Sequence, residues 1–155
     1  MKKLRLTKKE ILEFQQNRDP YLFMDIATEV IPGVSSKAFK KLKEDEWFFK
    51  VHWKNDPNMP GMLQVEAIVQ TCALAILSLP GNKGKVVYLI SANNLKFKKK
   101  ILPNDEISME TKVNSIKRGF AKCSGKLYVN HDLACSAEFD LILPDELNRF
   151  KINKK

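Results

Sequence analysis

Residues 59–80 read Met59-Pro-Gly-Met-Leu-Gln-Val-Glu-Ala-Ile-Val-Gln-Thr-Cys-Ala-Leu-Ala-Ile-Leu-Ser-Leu-Pro80, and Glu66 is the one charged residue among them. A Pro-Gly pair stands at each end, which predicts a helix of roughly 17 residues between the two breaks. Its apolar side chains point in every direction, and a helix that is apolar all round is enclosed by other elements. Polar residues interrupt the stretch, so it falls short of the about 20 mostly apolar residues that cross a membrane. We therefore predict a buried central helix.

The rest of the chain predicts mainly strands. Thr7 and Glu10 form a capping box at the start of a short amphipathic helix over residues 7–16, and a short aromatic segment covers residues 46–52. Strands are predicted over residues 21–30, 35–42, 86–98, 106–116, 120–129 and 134–143. Tight turns between the last four strands imply an antiparallel meander. We predict one α+β domain over residues 1–147, with an antiparallel sheet wrapped around one long helix, and a loose basic tail over residues 148–155.

The composition agrees with one domain and excludes several classes of protein. The chain has 155 residues, 44% of them apolar, which suits a packed core that needs neither a disulfide nor a metal. Cys72, Cys123 and Cys135 are odd in number and widely spaced, which is typical of reduced thiols in a cytoplasmic protein. The first residues lack the apolar core of a secretory signal, and no glycine-rich phosphate-binding motif is present. The net charge of +9 suggests an acidic partner without identifying it.

The acid in the central helix is the first candidate for a functional group. An ionised carboxylate in an apolar helix is costly unless it is paired, protonated or in use. Glu66 could therefore be a catalytic acid, or it could face solvent or cap a neighbouring strand. Gln70 follows one turn later on the same helix face, where it could hold the Glu66 carboxyl or bond a neighbouring strand.

A histidine completes a candidate acid–base pair. His52 precedes Glu66 by 14 positions and begins a loop rich in Pro, Asn and Asp that leads into the helix. A single histidine is more often structural than catalytic, but a histidine base and a buried acid that meet at an apolar tunnel suit general acid–base chemistry. The helix begins at Gly61, whose free backbone N–H could polarise a carbonyl oxygen of a substrate.

The spacing His-x-x-x-x-Pro-x-Met-Pro-Gly-x-Leu-x-x-Glu, from His52 to Glu66, resembles the signature of the beta-hydroxyacyl-[acyl-carrier-protein] dehydratases of the hot-dog fold. Three further blocks resemble segments of the same family, namely Asn17-Arg-Asp-Pro-Tyr-Leu-Phe-Met-Asp25, Glu66-Ala-Ile-Val-Gln70 and Leu95-Lys-Phe-Lys-Lys-Lys-Ile-Leu-Pro-Asn-Asp105. The resemblance covers nearly the whole chain. The acid of the signature is Glu66 rather than an Asp, and in this respect the chain resembles the general dehydratase branch of the family more than the isomerising branch.

The resemblance implies a homodimer, or a trimer of such dimers, in which His52 faces Glu66 of the partner subunit. His52 would remove the proton next to the thioester carbonyl, Glu66 would protonate the departing hydroxyl, and the Gly61 amide would polarise the carbonyl. Gln70 and Asn58 would support this pair. The resemblance implies no metal and no redox cofactor. It also implies that the substrate is carried on the phosphopantetheine of acyl carrier protein.

The resemblance also offers a partner for the positive charge. In the family, the strand that contains Lys96, Lys98, Lys99 and Lys100 ends near the tunnel mouth, where these lysines would attract an acidic acyl carrier protein. They could equally be the solvated lysines of a protected edge strand. No recognition helix or set of stacking aromatic residues lies beside them, which argues against nucleic acid.

Departures from the family pattern keep two other functions open. Lys54 and Asn55 follow His52 where the family has proline and glycine, and Asn17 replaces a histidine. A hot-dog thioesterase or enoyl-CoA hydratase is therefore one alternative to the dehydratase. A non-catalytic module that binds acyl chains or serves as a partner subunit is the other.

Overall fold

The computed structural model of the protein describes residues 2–152. Its strands are β1 (Leu4–Thr7), β2 (Ile26–Ile31), β3 (Ser35–Lys41), β4 (Tyr88–Phe97), β5 (Glu106–Lys117), β6 (Phe120–Val129) and β7 (Asp132–Ile142). Its helices are α1 (Lys8–Phe14), α2 (Trp47–Val51), α3 (Gly61–Leu77) and α4 (Pro144–Ile152). The strands form one antiparallel sheet in the order β1-β2-β3-β5-β6-β7-β4. The predicted α+β architecture is thereby confirmed.

The central helix α3 begins and ends where the two Pro-Gly pairs predict. It has 17 residues, Pro60 is its N-cap residue, and every side chain from Ala67 to Leu77 is buried. The sheet curves around it, with contacts from β2 to β7. At Gly125 of β6, a side chain would collide with Ile68 of α3, so the backbone of the sheet lies directly against the helix there.

The local signals for α1 and the last three strands are also confirmed. The hydroxyl of Thr7 accepts a hydrogen bond from the backbone N–H of Glu10, and the Glu10 carboxylate accepts one from the backbone N–H of Thr7. The strand over residues 120–129 has the predicted limits. The β6–β7 turn places Asn130 and His131 at positive φ, as a tight hairpin requires.

Two expectations from the sequence need correction, and two short elements were not predicted. Residues 21–25 are not part of a strand, because the backbone N–H of Phe23 donates to the Gln70 side chain of α3 rather than to the sheet. The aromatic segment over residues 46–52 contains the short helix α2, and β1 was not predicted. The expected tail over residues 148–155 is helical through Ile152, as part of α4, and residues 153–155 lie outside the described part of the chain.

Candidate active site

The ring of His52 is held at the end of α2 in a defined orientation. Its Nδ1 lies 3.0 Å from the backbone oxygen of Asn58, and its ring stacks on Trp53 at 4.8 Å between centroids, with an interplanar angle of 25°. A carbonyl oxygen can only accept a hydrogen bond, so Nδ1 is the nitrogen that bears the proton in the neutral ring. The lone pair of the neutral ring is therefore on Nε2, which is the atom that can act as a base.

The start of α2 is fixed by a buried cation. Lys40 of β3 is 7% exposed, and its Nζ lies 3.5 Å from a carboxylate oxygen of Asp25 and 3.5 Å from one of Glu46. Glu46 is the N-cap residue of α2, and its carboxylate joins the helix to the sheet through Lys40. Because α2 has only five residues, this anchor also limits how far His52 at its other end can move.

Asn58 supports His52 through its main chain. Its side chain is buried and donates from Nδ2 to the backbone oxygen of Asp56 at 2.7 Å, which closes the loop after His52. Asn55 lies in the same loop, at the position where the family has a glycine. Its φ is not positive, so the backbone here does not need the left-handed conformation that glycine favours.

The N-terminus of α3 lies beside His52. The N–H of Gly61 has no acceptor among the described residues, as is usual for the first amide of a helix. A Cβ at position 61 would come within 2.8 Å of a ring carbon of Phe97, so the absent side chain makes room for this ring. A groove of about 460 Å³ joins these groups and is lined by His52, Trp53, Asn58, Met59, Gly61, Gln64, Phe97, Lys98, Lys99 and Lys100.

The carboxyl group of Glu66 lies on another face of α3 from Gly61. Five positions separate the two residues, which corresponds to a rotation of about 140° around the helix. Glu66 does not line the groove that contains His52, and no hydrogen bond or ion pair joins the two side chains within the described chain. A single chain therefore brings His52 and Gly61 together, but it does not bring Glu66 to His52.

Gln70 holds the carboxyl of Glu66. Its Nε2 donates to Glu66 Oε1 at 3.0 Å and to the backbone oxygen of Tyr21 at 2.7 Å, and its Oε1 accepts from the N–H of Phe23 at 2.9 Å. Both uses that the sequence allowed for this side chain therefore occur at once, although its backbone partners belong to a loop rather than a strand. Gln15 adds a further hydrogen bond, from its Nε2 to the backbone oxygen of Gln70.

Partial burial lets the Glu66 carboxyl keep its proton to a higher pH than an exposed carboxyl does. Burial raises the pKa of the Glu66 carboxyl, and the hydrogen bond from Gln70 opposes this effect only in part. The pKa of the Tyr21 phenol is raised by its own partial burial and by the charge of Glu66, so this ring lies within electrostatic reach of the acid. The sequence did not indicate Tyr21 as a site residue. The one feature that could have done so is its position within the Asn17–Asp25 block, which resembles a segment of the family.

The predicted lysine cluster is divided between two grooves. Lys98, Lys99 and Lys100 line the His52 groove, whereas Lys96 lines a separate groove on the outer face of the sheet. Lys99 pairs with Asp132 at 2.6 Å, and Lys100 pairs with Asp56 at 2.7 Å. No described carboxylate pairs with Lys98, which leaves its charge available at the rim of the groove.

The stability of the protein should depend on pH through Glu66. A carboxyl group whose pKa is raised on folding stabilises the folded state only while it is protonated, and this contribution is lost as the pH rises through the folded pKa. We expect Glu66→Gln to gain in Tm relative to wild type as the pH rises from acidic to neutral, because an amide does not ionise. Thermal unfolding across this range measures the gap, and the exposed Glu44→Gln is the control. A gap that stays constant with pH would contradict the burial of this acid.

Residues 2–152 contain neither a metal-binding cluster nor a membrane-spanning helix. No group of three or more His, Cys, Asp or Glu side chains is placed to hold a metal ion. No helix is long and apolar enough to cross a membrane. All three cysteines are free and buried.

The fold is that of a hot-dog protein, because an antiparallel sheet wraps around one long helix. A histidine and a half-buried glutamate near that helix provide the groups for acid–base chemistry. The chain belongs to the FabA-like family, whose model matches residues 17–138 as a FabA-like domain. It is 36% identical over 141 residues to the 3-hydroxyacyl-[acyl-carrier-protein] dehydratase FabZ of Roseiflexus sp. (strain RS-1), covering 91% of this chain and 99% of that protein. It is 32% identical over 137 residues to the protein of the same name in Clostridioides difficile (strain 630), covering 88% and 96%.

Solved structures show the same fold at low sequence identity. The dehydratase heterocomplex ApeI:P from Xenorhabdus doucetiae matches with a TM-score of 0.76 and 9% identity, over 94% of this chain and 97% of that one. A hypothetical thioesterase with coenzyme A from Streptococcus pneumoniae TIGR4 matches with a TM-score of 0.57 and 12% identity, over 73% and 80%. These two proteins support the hot-dog fold alone, since they differ in the function that their names give.

Proposed function

We propose that the protein dehydrates beta-hydroxyacyl-[acyl carrier protein] to trans-2-enoyl-[acyl carrier protein], as a hydro-lyase of fatty-acid or related lipid or polyketide synthesis. The observation that carries the proposal is the pair of complementary groups at the helix. His52 offers an unprotonated Nε2, and Glu66 has a raised pKa that favours its protonated form. The names of the FabZ relatives support the same reaction. The three free cysteines suit the cytoplasm, which we propose as the compartment.

The reaction needs one base, one acid and one oxyanion donor. Nε2 of His52 takes the proton from the carbon next to the thioester carbonyl, and the Gly61 N–H stabilises the negative charge that develops on the carbonyl oxygen. The electron pair then forms the double bond while the bond to the beta hydroxyl breaks. Glu66 donates the proton with which that hydroxyl leaves as water. A proton returned from His52 to Glu66, directly or through water, restores both groups.

A homodimer is the assembly in which this pair can form. His52 and Glu66 do not meet within one chain, so the proposal requires His52 to work with Glu66 of the partner subunit. The edge strand β4 supports such pairing because, within residues 2–152, β7 is the one strand that bonds to it, and because it exposes large apolar side chains. The exposed apolar residues of this strand are Tyr88, Leu89, Ile90 and Phe97. An unpaired apolar edge of this kind is a template for a second strand.

We place the carrier protein at the rim of the His52 groove. Lys98, Lys99 and Lys100 are the lysines that line it, and a phosphopantetheine arm that enters there would pass His52 and Gly61. Lys96 is left out of this docking surface because it lies in the outer groove. Surface charges of this kind increase the rate of encounter with an acidic partner more than they increase its affinity.

Reversal of one unpaired charge should reveal this surface. We expect Lys98→Glu to raise KM for an acyl carrier protein substrate by roughly fivefold at low salt, with a smaller effect at high salt. KM for the same acyl group on N-acetylcysteamine, which has no carrier protein, should not change. Lys126→Glu, in the outer groove, is the matched control. Equal effects of Lys98→Glu and Lys126→Glu would show that net charge, and not this rim, attracts the carrier.

The proposed activity is tested by incubating the full chain with crotonyl and beta-hydroxyacyl thioesters on acyl carrier protein and on coenzyme A. Loss of the ultraviolet absorbance of the enoyl thioester follows hydration, and its appearance follows dehydration. Turnover on the carrier protein supports the proposal. Turnover only on coenzyme A would indicate the enoyl-CoA hydratase, thioester cleavage would indicate a thioesterase, and no reaction on either carrier would indicate the non-catalytic module.

A further inference from the structure

The aromatic ring of Phe97 lies against the start of α3, and no step of the reaction uses it. A Cβ on Gly61 would lie 2.8 Å, 3.1 Å and 3.2 Å from three carbons of this ring, so the ring covers the Cα of Gly61. The Phe97 side chain is 49% exposed, and it lines the His52 groove together with Gly61. The ring is therefore in contact with the residue that carries the oxyanion donor, inside the groove that the substrate enters.

A β-bulge in β4 turns Phe97 toward the helix. Between Asn93 and Lys96, β4 advances by three residues while its partner β7 advances by two, and Asn94 within the bulge has a φ of 51°. Because side chains alternate along a strand, one extra residue reverses the faces of all the residues that follow it. Phe97 therefore lies opposite Cys135 of the core and contacts α3, whereas Lys96 lines the outer groove. In a regular strand these two side chains would exchange faces.

Backbone hydrogen bonds hold both sides of this contact in place. Directly after Phe97, the backbone N–H of Lys98 donates to a backbone oxygen of β7 at 2.7 Å. Two residues before Gly61, the backbone N–H of Met59 donates to the backbone oxygen of Ile101 at 2.9 Å. The segment that carries the ring and the segment that begins the helix are thus joined to each other, so the backbone sets the position of the ring over Gly61.

An apolar ring beside Gly61 changes what its N–H can do. This N–H has no acceptor among the described residues, and its nitrogen is one bond away from the Cα that the ring covers. A benzyl ring does not compete for the hydrogen bond, and it keeps water away from the donor. A hydrogen bond to a developing negative charge is stronger where the local dielectric constant is low. The benefit is largest in the transition state, where the carbonyl oxygen carries the most charge.

We propose that Phe97 is a positioning residue, whose ring shields the Gly61 N–H from water and strengthens its hydrogen bond to the thioester carbonyl oxygen. The inference rests on the proposed dehydration, because it concerns the oxyanion donor of that reaction. Phe97 acts through Gly61 and takes no part in the proton transfers of His52 and Glu66. The same contact explains why position 61 is a glycine, since a larger residue would displace the ring.

Kinetics of the full chain with crotonyl-[acyl carrier protein] test this role. We expect Phe97→Ala to lower kcat for hydration by roughly tenfold with little change in KM, because the shielded hydrogen bond contributes most in the transition state. Phe97→Leu restores an apolar wall and should recover most of this loss. Leu102→Ala removes an apolar side chain of similar exposure that does not line the groove, and it should match wild type. A loss in KM alone, or an equal loss in Leu102→Ala, would overturn the inference.

A substitution at Gly61 tests the contact itself. The methyl group of Gly61→Ala displaces the ring, so the loss of kcat in this variant should include the loss seen in Phe97→Ala. The double variant should then be no less active than Gly61→Ala alone. Losses that multiply in the double variant would show that the two residues act independently, and the inference would fail. All variants are compared at a protein concentration at which sedimentation shows the assembly of wild type.

The carbonyl stretching frequency of a bound thioester separates this role from the chemistry. Butyryl-[acyl carrier protein], isotopically labelled at the thioester carbonyl, has no beta hydroxyl and no double bond, so it is neither dehydrated nor hydrated. We expect its carbonyl band to shift to lower frequency on binding to wild type, and we expect Phe97→Ala to lose most of this shift. If the shift depends on Phe97 but no substrate turns over, the positioning role stands and the dehydratase proposal fails. If turnover occurs and Phe97→Ala keeps both the shift and kcat, only the positioning role fails.

Discussion

His52→Ala and Glu66→Gln should each lower kcat/KM for crotonyl-[acyl carrier protein] by about a thousandfold, with little change in the fold. Among the described residues that line the groove, His52 is the side chain suited to take the proton, and its loss removes the base. An amide at position 66 cannot supply a proton to the leaving hydroxyl. The rate at which ultraviolet enoyl absorbance is lost on hydration measures both effects. Because Gln at position 66 can still accept the hydrogen bond from Gln70, its effect should be chemical rather than structural.

Matched controls exist for both substitutions. His131 is the other histidine of the chain and lies in the exposed β6–β7 turn, so His131→Ala should retain wild-type turnover. Glu44→Gln removes an exposed carboxylate and should do the same. Activity that survives in His52→Ala, or that falls equally in His131→Ala, would remove His52 from the role of base.

An equal mixture of His52→Ala and Glu66→Gln chains should recover roughly a quarter of the wild-type activity after unfolding and refolding together. In a two-fold symmetric dimer, a mixed pair contains one site that lacks both groups and one site that lacks neither. Half of the dimers are mixed, and half of their sites are complete. Each variant alone stays nearly inactive, so the activity of the mixture should exceed that of either variant by more than a hundredfold. A difference of this size is clear even when the residual activity of the variants is not known precisely.

The control for this experiment is a mixture that cannot form a complete site. His52→Ala chains refolded with chains that carry both substitutions should remain inactive at every ratio. A complete site within one chain would give no recovery in the first mixture, and that result would overturn the shared-site arrangement while leaving the acid and the base in place. Sedimentation of the same samples checks that the dimers have formed.

Local sequence signals predicted most of the fold because each acts within a few residues. The Pro-Gly pairs set both ends of α3, and the Thr7 capping box sets the start of α1. The sequence predicts a strand over residues 21–25, but the ring of Phe23 packs against Phe48 of α2, and the side chain of Gln70 takes the hydrogen bond that a strand partner would have. The four residues of β1 are too few for a pattern, and their pairing with β2 is a tertiary contact.

The same limit applies to the candidate site. The sequence placed four lysines together, but Lys96 lies in a strand, where side chains alternate between faces, while Lys98 to Lys100 follow after its end. The family resemblance named Asn58 as a support of the acid–base pair, but it did not show that the main-chain oxygen of Asn58 is the contact with His52. That Phe97 covers Gly61 could not be predicted either, because the two residues are 36 positions apart.

The close approach of β6 to α3 fixes the position of the central helix along the sheet. Gly125 of β6 leaves no room for a side chain, because Ile68 of α3 lies directly against its backbone. The helix therefore cannot slide along the sheet without a collision. Because Glu66 precedes Ile68 by two positions on the same helix, its height relative to the sheet is set by backbone packing rather than by a loop.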